Sequence, residues 1–183
     1  RGKGKFMRLK AMGIMVSAAL LFAGHTAMAL ELGETAPALT FETLDGFERR
    51  MDNYDTRKGT VMVFLSSRCA ATESEMARMN EIHEENRFDI LFIGVSVNPA
   101  ESGGELRQFA TNLGAIFPVY RDVTGKVREI FGASVTPEYF LLDKQGTLLY
   151  RGGLGSNAEE AGLERAVRQY LKGAAIETAR TPA

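Results

Sequence analysis

One stretch, residues 60–86, constrains the fold more than any other part of the chain. Val61 to Leu65 form an unbroken apolar run with β-branched and aromatic members, which is typical of a strand buried on both faces of a sheet. A short polar turn follows, and from Thr72 onward the apolar residues recur at the period of a helix. The stretch therefore predicts a central strand, a tight turn and a helix.

Cys69, the only cysteine of the chain, lies where this turn meets the helix. A thiol in the first turn of a helix faces unpaired backbone N–H groups and the positive end of the helix dipole. Both favour the thiolate, which is the reactive form. Free cysteines are otherwise most often small buried hydrophobic residues, but polar neighbours argue against that interpretation here and predict a reactive thiol. These neighbours are Ser66, Ser67, Arg68 and Thr72.

Residues 1–29 have the features of a signal peptide that directs export. Five basic residues and no acidic residue accompany an apolar stretch from Ala11 to Ala23, and Ala27-Met28-Ala29 offers small residues for cleavage. The apolar stretch is short for a membrane span, so a cleaved signal is favoured over a membrane anchor. We therefore expect a periplasmic or secreted protein, which contacts a membrane only if the signal is retained.

The charge and length of the remaining chain limit its partners and its organisation. Without residues 1–29, 17 of the 22 basic residues remain against all 23 acidic ones, a net charge of about −6. Nucleic acids and anionic lipids are bound through clustered Lys and Arg, so neither is an expected partner. The length suits one domain with a single core. We place this domain at residues 30–173 and a mobile, small and polar tail at residues 174–183.

The segments around the central strand and helix predict an alternation of strands and helices. Asp45-Gly46 separates two extended segments and has the sequence of a two-residue hairpin turn. The apolar run from Ile90 to Val97 predicts a second strand, parallel to the first, with the intervening helix as a right-handed crossover. Ser102 and Glu105 have the spacing of a capping box at the start of the next helix.

The last third of the chain predicts an antiparallel hairpin followed by a helix. Pro137 stands at the head of the first strand of this hairpin, a position where a missing N–H donor is tolerated and where a cis bond would be a specific structural device. Residues 143–146 form the predicted turn. The final helix has an amphipathic pattern, and Asn157 with Glu160 predicts the cap at its beginning.

This order of elements resembles the thioredoxin fold, and more narrowly the redoxin group, which contains the AhpC/TSA-type peroxiredoxins and the exported TlpA-like thiol-disulfide oxidoreductases. The resemblance extends from about Gly33 to Gly153. It implies an α/β fold in which an N-terminal β-hairpin extends a central mixed β-sheet flanked by helices. The segments that carry it are Gly33-Glu34-Thr35-Ala36-Pro37 with Asp45-Gly46, and Thr136-Pro137-Glu138-Tyr139-Phe140-Leu141-Leu142-Asp143 with Gly146.

The resemblance implies roles for individual residues. Cys69 matches the attacking cysteine of the Cys-x-x-Cys motif, and Pro137 matches the cis-proline beside it, where the backbone of Thr136 is presented to an incoming chain. Glu75 matches an acidic residue that assists proton transfer in some TlpA-like reductases. On the residues alone, Glu75 is equally well a solvated carboxylate favoured by the helix dipole. The implied redox partner is a thiol or disulfide, either a protein or a small molecule, and no cofactor is implied.

The chain departs from this family pattern at the second cysteine. Thr72 takes its place, so Cys69 has no internal partner and the resolving thiol must come from another molecule. The Thr72 hydroxyl can still donate a hydrogen bond to a Cys69 thiolate. Arg68 replaces a tryptophan that is common before the motif. Its cation favours the thiolate if it points inward, and a position in solvent is the alternative.

Two other functions remain open. A one-cysteine peroxidase is suggested by Ser66, because peroxiredoxins have Thr or Ser three residues before the reactive cysteine, whereas the retained Pro137 opposes it. The arginine that peroxidases also need has three candidates, namely Arg121, Arg128 and Arg151. Alternatively, a redox-silent binding module would hold an extended peptide beside Thr136 and Pro137.

A metal site is not expected. His83 is the only histidine after the signal segment, and it follows Cys69 by about four helical turns. Zinc sites in proteins need three or four ligands, mostly Cys and His. The sequence therefore predicts neither a metal site nor a Cys-His catalytic pair.

Overall fold

The computed structural model describes Gly2, residues 29–155 and residues 162–183. Nearly all of the predicted signal segment, and the predicted cap formed by Asn157 and Glu160, lie outside the described residues. Within them, no helix has the length and apolar character needed to cross a membrane.

Strands and helices alternate along the described chain in the predicted order, and all the strands join one mixed sheet with the strand order β2-β1-β5-β4-β3-β6-β7. The central strand β3 pairs in parallel with β4 and antiparallel with β6. This arrangement confirms the predicted α/β class. The elements are β1 (Leu39–Thr43), β2 (Glu48–Met51), β3 (Gly59–Leu65), α1 (Ala70–Asn86), β4 (Ile90–Ser96), α2 (Gly103–Asn112), β5 (Val119–Arg121), α3 (Lys126–Phe131), β6 (Glu138–Asp143), β7 (Leu148–Gly152) and α4 (Leu163–Leu171).

Strand β3 lies between two apolar layers, and all its residues are buried. Val61, Val63 and Leu65 belong to the layer that contains the buried side chains of α1 and α4. Met62 and Phe64 belong to the opposite layer, to which α3 contributes. Successive side chains of a strand point to opposite faces, so a strand covered on both faces needs the continuous apolar run seen in the sequence.

The turn of the first hairpin is longer than predicted. The N–H of Gly46 donates to the carbonyl of Thr43 at 3.0 Å, and the N–H of Thr43 donates to the carbonyl of Phe47 at 2.8 Å, which places Leu44 and Asp45 at the centre of the turn. Gly46 has a φ of 87°, and no described residue other than glycine has a positive φ. The longer turn therefore confines the left-handed conformation to the residue that adopts it without steric cost.

Residues 174–183, which the sequence predicts to be mobile, form backbone and side-chain contacts with β7. The N–H of Arg151 donates to the carbonyl of Ala179 at 3.0 Å, and the N–H of Thr181 donates to the carbonyl of Arg151 at 3.2 Å. The hydroxyls of Thr181 and Tyr150 lie 2.6 Å apart. An open sheet edge offers unpaired backbone groups to any extended chain, so the segment is held by backbone pairing that its small, polar side chains do not reveal.

Helix α1 carries a histidine whose protonation opposes folding. The ring of His83 lies 6.2 Å from the rings of both Phe92 and Phe117. Its buried Nδ1 has no hydrogen-bond partner in the described part of the chain. Burial, and to a smaller extent the cation of Arg87, lower the pKa of His83.

We expect the free energy of unfolding to fall as the pH is lowered from about 6.5, the ordinary histidine pKa, through the lower pKa of folded His83. In this range the unfolded chain binds a proton that the folded protein does not yet bind. His83→Gln should reduce this pH dependence, as measured by urea unfolding at about pH 7.5 and about pH 5.5. An equal loss of stability on acidification in both proteins would contradict the prediction.

Candidate functional site

Cys69 lies at the junction of β3 and α1, as predicted. It is the N-cap residue of α1, with an extended backbone (φ −105°, ψ 112°). Its N–H donates to the carbonyl of Ser66 at 3.2 Å, which closes the polar turn. The thiol is free and partly exposed. It donates a hydrogen bond to the carbonyl of Thr136, with a distance of 2.9 Å between Sγ and the carbonyl oxygen.

The surroundings of Cys69 favour the thiolate. The hydroxyl of Thr136 lowers the pKa of Cys69 most, partial burial opposes it, and the backbone N–H groups of Thr72 and Ala71 lower it further together with the Thr72 hydroxyl. A lowered pKa of Cys69 is the direction that the sequence predicts. The Thr72 hydroxyl is buried and forms no hydrogen bond of normal geometry in the described part of the chain. It therefore has no competing acceptor there, and it lies close enough to the sulfur to affect its pKa.

The loop that carries Thr136 reaches Cys69 because β6 pairs with β3. Glu138, the first residue of β6, lies opposite Phe64 near the end of β3, so the residues before Glu138 extend toward the turn that holds the thiol. The peptide bond between Thr136 and Pro137 is cis, which confirms the conformation implied by the family resemblance. Four of the predicted site residues, Cys69, Thr72, Thr136 and Pro137, thus come together.

A buried glutamate that the sequence analysis missed lies at the same edge of the sheet. Glu101 has no exposed surface, and it accepts hydrogen bonds from the hydroxyls of Ser66 at 2.6 Å, Ser67 at 3.0 Å and Ser96 at 2.6 Å. The signal in the sequence was the presence of serines at the ends of two predicted parallel strands, because such ends meet at one edge. The Ser66 hydroxyl donates to this carboxylate, which is not the role that a peroxidase site would give it.

Glu75 is not a freely solvated carboxylate. The hydroxyl of Tyr139 donates to Glu75 Oε2 at 2.6 Å, and the glutamate is half-buried. Burial, and then the hydrogen bond to Glu75, raise the pKa of Tyr139 far above its ordinary value. The Tyr139 hydroxyl therefore keeps its proton at all ordinary pH values and can donate to Glu75. The role of Glu75 in proton transfer stays a prediction.

The arginines around the site differ in what they contact. The side chain of Arg68 is 61% exposed and lies 3.9 Å from Glu105, so the inward orientation is not the one observed. Arg121 pairs with Glu42, and Arg151 pairs with Glu138. Of the three arginines considered for a peroxidase, Arg128 is the one that lines a groove next to Thr136.

This groove has a volume of about 320 Å³ and adjoins the carbonyl that contacts Cys69. Its lining combines apolar side chains with polar groups, among them Val97, Asn98, Arg128, Val135 and Thr136. Val135 is 46% exposed, so an apolar surface is available two residues before the cis-proline. In the described part of the chain, no group of His, Cys, Asp or Glu side chains is arranged to hold a metal ion.

A cysteine at a helix N-terminus, opposite a cis-proline loop on a mixed sheet, defines a thioredoxin-like protein of the redoxin superfamily. The sequence profile of the AhpC/TSA family matches residues 32–151, and the chain belongs to this family. It is similar to the thiol-disulfide oxidoreductase ResA of Geobacillus thermodenitrificans (strain NG80-2), with 33% identity over 121 residues that cover 64% of this chain and 67% of the relative. For ResA of Bacillus anthracis the identity is 26% over 121 residues, or 66% and 68% of the two chains.

Solved structures support the fold independently. An uncharacterized conserved protein from Geobacillus kaustophilus superposes with a TM-score of 0.68 at 23% identity, covering 82% of this chain and 88% of that one. The exposed lipoprotein thioredoxin Etrx1 from Streptococcus pneumoniae strain TIGR4 gives a TM-score of 0.59 at 21% identity, with 74% and 98% covered. At these identities the likeness establishes the thioredoxin-like architecture.

Proposed function

We propose that this protein is an exported thiol-disulfide oxidoreductase that acts through Cys69 alone and depends on an external thiol for turnover. The observation that carries the proposal is the position of the Cys69 sulfur, at a helix N-terminus and 2.9 Å from the carbonyl of Thr136 next to the cis peptide bond. The name of the ResA relatives supports this chemistry. The signal-like residues 1–29 support an exported location, where disulfides persist.

The reaction begins with attack of the Cys69 thiolate on one sulfur of a partner disulfide. A new S–S bond joins Cys69 to that sulfur, the original S–S bond breaks, and the second sulfur leaves as a thiolate that takes a proton from water. An external thiolate then attacks the mixed disulfide on the partner's sulfur. Cys69 is released as a thiolate, and the external sulfur becomes part of a new disulfide. The two steps exchange disulfides without net oxidation or reduction of Cys69.

The protein supplies orientation and charge stabilisation to both steps. The backbone N–H groups of Thr72 and Ala71 stabilise the thiolate that attacks and leaves. The carbonyl of Thr136 can pair with an extended partner segment once the Cys69 thiol has lost its proton and no longer donates to it. The apolar lining near Val135 accommodates a side chain next to the partner's cysteine. The occupant we propose is therefore an extended peptide with a disulfide, or a small disulfide.

We expect purified protein to form a one-to-one mixed disulfide when incubated with glutathione disulfide, faster than free cysteine does at the same pH near 7. The reason is the larger thiolate fraction of Cys69. Intact-protein mass spectrometry follows the adduct, and Cys69→Ser serves as the control that cannot form it. Added dithiothreitol should release the adduct completely. A wild-type rate equal to or below that of free cysteine would overturn the proposal.

Two further measurements separate this function from its alternatives. Peroxidase activity requires rapid oxidation of the thiol to a sulfenic acid, so stopped-flow oxidation of Cys69 by hydrogen peroxide no faster than that of free cysteine excludes it. The hydrogen bond from Ser66 to Glu101 leads us to expect that slow result. A binding module would instead retain its peptide partner after Cys69→Ala, and it would show no mixed disulfide in the first experiment.

A further inference from the structure

The segment between α3 and β6, residues 132–137, determines where Thr136 lies relative to Cys69. Both groups of Thr136 that affect the thiol, its carbonyl and its hydroxyl, belong to this segment. The N–H groups of Gly132 and Ala133 donate to carbonyls of α3, but the segment contains no helix or strand, so regular backbone pairing does not fix residues 134–137. Its position therefore depends on side chains that contact its backbone.

Arg151 holds the beginning of this segment from the neighbouring strand. Its Nη2 donates to the carbonyl of Gly132 at 3.2 Å and to Glu138 Oε1 at 2.8 Å. The guanidinium carbon lies 5.1 Å from the centre of the Phe140 ring, over its face. The side chain is only 14% exposed, and β7 pairing places Arg151 directly opposite Phe140. Arg151 is thus held by both polar and aromatic contacts.

Glu138, which directly follows the segment, binds the backbone in its middle. Its Oε2 accepts a hydrogen bond from the N–H of Ser134 at 2.9 Å while Oε1 accepts from Arg151. The Glu138 side chain is 6% exposed. Two side chains therefore bind the segment at Gly132, at Ser134 and at its junction with β6. We call Glu138 and Arg151 the loop clamp.

Stability alone does not account for such a pair. The desolvation of two buried charges offsets most of their attraction, and apolar residues of similar volume often stabilise a protein as well or better. What the pair provides is geometry, because a carboxylate with two acceptors and a planar guanidinium fix the directions of several hydrogen bonds at once. Here those bonds end on the backbone that carries Thr136.

We propose that Glu138 and Arg151 are positioning residues that hold the carbonyl and hydroxyl of Thr136 against Cys69 and so set the reactivity of the thiol. This inference rests on the proposed function of Cys69 as the reacting group. It assigns to Arg151 a role other than the peroxide-binding role considered from the sequence. Neither residue needs to contact the substrate for this role, since both act through the loop.

The inference is tested by titrating the Cys69 thiolate, followed by its ultraviolet absorbance, in Glu138→Gln and Arg151→Met. A loosened loop withdraws both the carbonyl and the hydroxyl of Thr136, and the carbonyl accepts from the protonated thiol. The hydroxyl is the largest influence on the Cys69 pKa, so we expect this pKa to rise by about half a unit, which is a threefold drop in thiolate at a pH below the pKa. The rate of mixed-disulfide formation with glutathione disulfide should fall by a similar factor. Arg151→Lys keeps the charge but offers a compact ammonium instead of a planar fork, and it should restore the pKa only in part.

The matched control is Glu42→Gln. Glu42 forms a partly buried ion pair with Arg121 between β1 and β5, so this variant also breaks a glutamate–arginine pair but leaves the loop clamp intact. It should titrate like the wild type. A shift in Glu42→Gln as large as that in Glu138→Gln would overturn the positioning role, and so would wild-type titration of Glu138→Gln. If Arg151→Met fails to fold, Glu138→Gln and Arg151→Lys decide the question.

A second readout does not depend on the chemistry of Cys69. Glu138→Gln should accelerate hydrogen exchange of the Ser134 amide, whose N–H donates to Glu138. If the Ser134 amide exchanges faster in Glu138→Gln but the wild type forms no mixed disulfide, the proposed function is refuted and the loop clamp is retained. Unchanged exchange together with normal wild-type thiol reactivity would refute the clamp and keep the proposed function.

Discussion

Replacing Thr72 by cysteine is expected to convert the protein from a one-cysteine enzyme into one that resolves its own mixed disulfide. Thr72 is fully buried, and its N–H and hydroxyl both lie close enough to the Cys69 sulfur to lower its pKa. A cysteine at this position would carry its sulfur where the Thr72 hydroxyl now lies. Side chains three residues apart on a helix are neighbours, and a small adjustment brings them to the separation that a disulfide requires.

The size of the effect follows from the change of a bimolecular step into an intramolecular one. A tethered partner acts at an effective concentration of at least about 1 mM. At an external thiol concentration of about 0.1 mM, resolution of the mixed disulfide should therefore accelerate at least tenfold. The substitution should cost little stability, because the Thr72 hydroxyl makes no hydrogen bond of normal geometry that would be lost within the described structure.

Alkylation after mild oxidation measures the outcome. In Thr72→Cys, both thiols should be protected from iodoacetamide and released by dithiothreitol, whereas the wild type should retain one alkylatable thiol when no small disulfide is present. Thr72→Val is the matched control, since it keeps the shape of threonine without a thiol or hydroxyl, and it should raise the pKa of Cys69. Two freely alkylated thiols in oxidised Thr72→Cys would show that the side chains at 69 and 72 do not face each other.

Local sequence patterns predicted the part of the site that is built from neighbouring residues. The position of Cys69 followed from a strand pattern that ends at Leu65 and a helical pattern that begins at Thr72. The cis bond before Pro137 followed from the family resemblance, because nothing in the residues alone distinguishes a cis from a trans proline. The contact between Cys69 and Thr136 joins residues 67 positions apart, so it too was implied by the family resemblance and not by local patterns.

The polar partners of the site were the part that the sequence did not reveal. Glu101 lies in a loop after β4 and was not predicted, although it accepts hydrogen bonds from three serine hydroxyls. The bond between Tyr139 and Glu75 spans 64 positions. A buried polar group must find a partner, but the partner is set by which chain segments meet in three dimensions. Hydrophobic periodicity predicts those segments and not the polar groups between them.

Two features of the fold that the sequence did not predict have the same origin. The turn at Asp45-Gly46 and the tail at residues 174–183 are both determined by backbone hydrogen bonds, at Thr43 and at β7 respectively. Every backbone unit carries a donor and an acceptor whatever its side chain, so a segment of small polar residues gives no sign of such pairing. The strands and helices with continuous or periodic apolar patterns were placed correctly because their side chains decide where they lie.

Truncation of Phe140 is expected to cause the largest loss of stability among the substitutions considered. Phe140 is fully buried, and its ring lies 5.3 Å from that of Phe64 and 5.1 Å from that of Phe131, in edge-on geometry. Strands β3 and β6 and helix α3 therefore meet at this side chain. Phe140→Ala should lower the free energy of unfolding by about 3–5 kcal/mol, because it loses the burial of a large ring and leaves a cavity that the strands on either side cannot close.

Urea unfolding measured at constant pH tests this expectation, with Phe47→Ala as the control. Phe47 is 71% exposed beside the turn of the first hairpin, so its truncation should change stability by no more than about 0.5 kcal/mol. Because the Phe140 ring also supports the guanidinium of Arg151, Phe140→Ala should raise the Cys69 pKa in the same direction as Arg151→Met. A loss below about 1 kcal/mol would mean that Phe64 and Phe131 repack into the space, and the aromatic cluster would then not be the support on which the loop clamp rests.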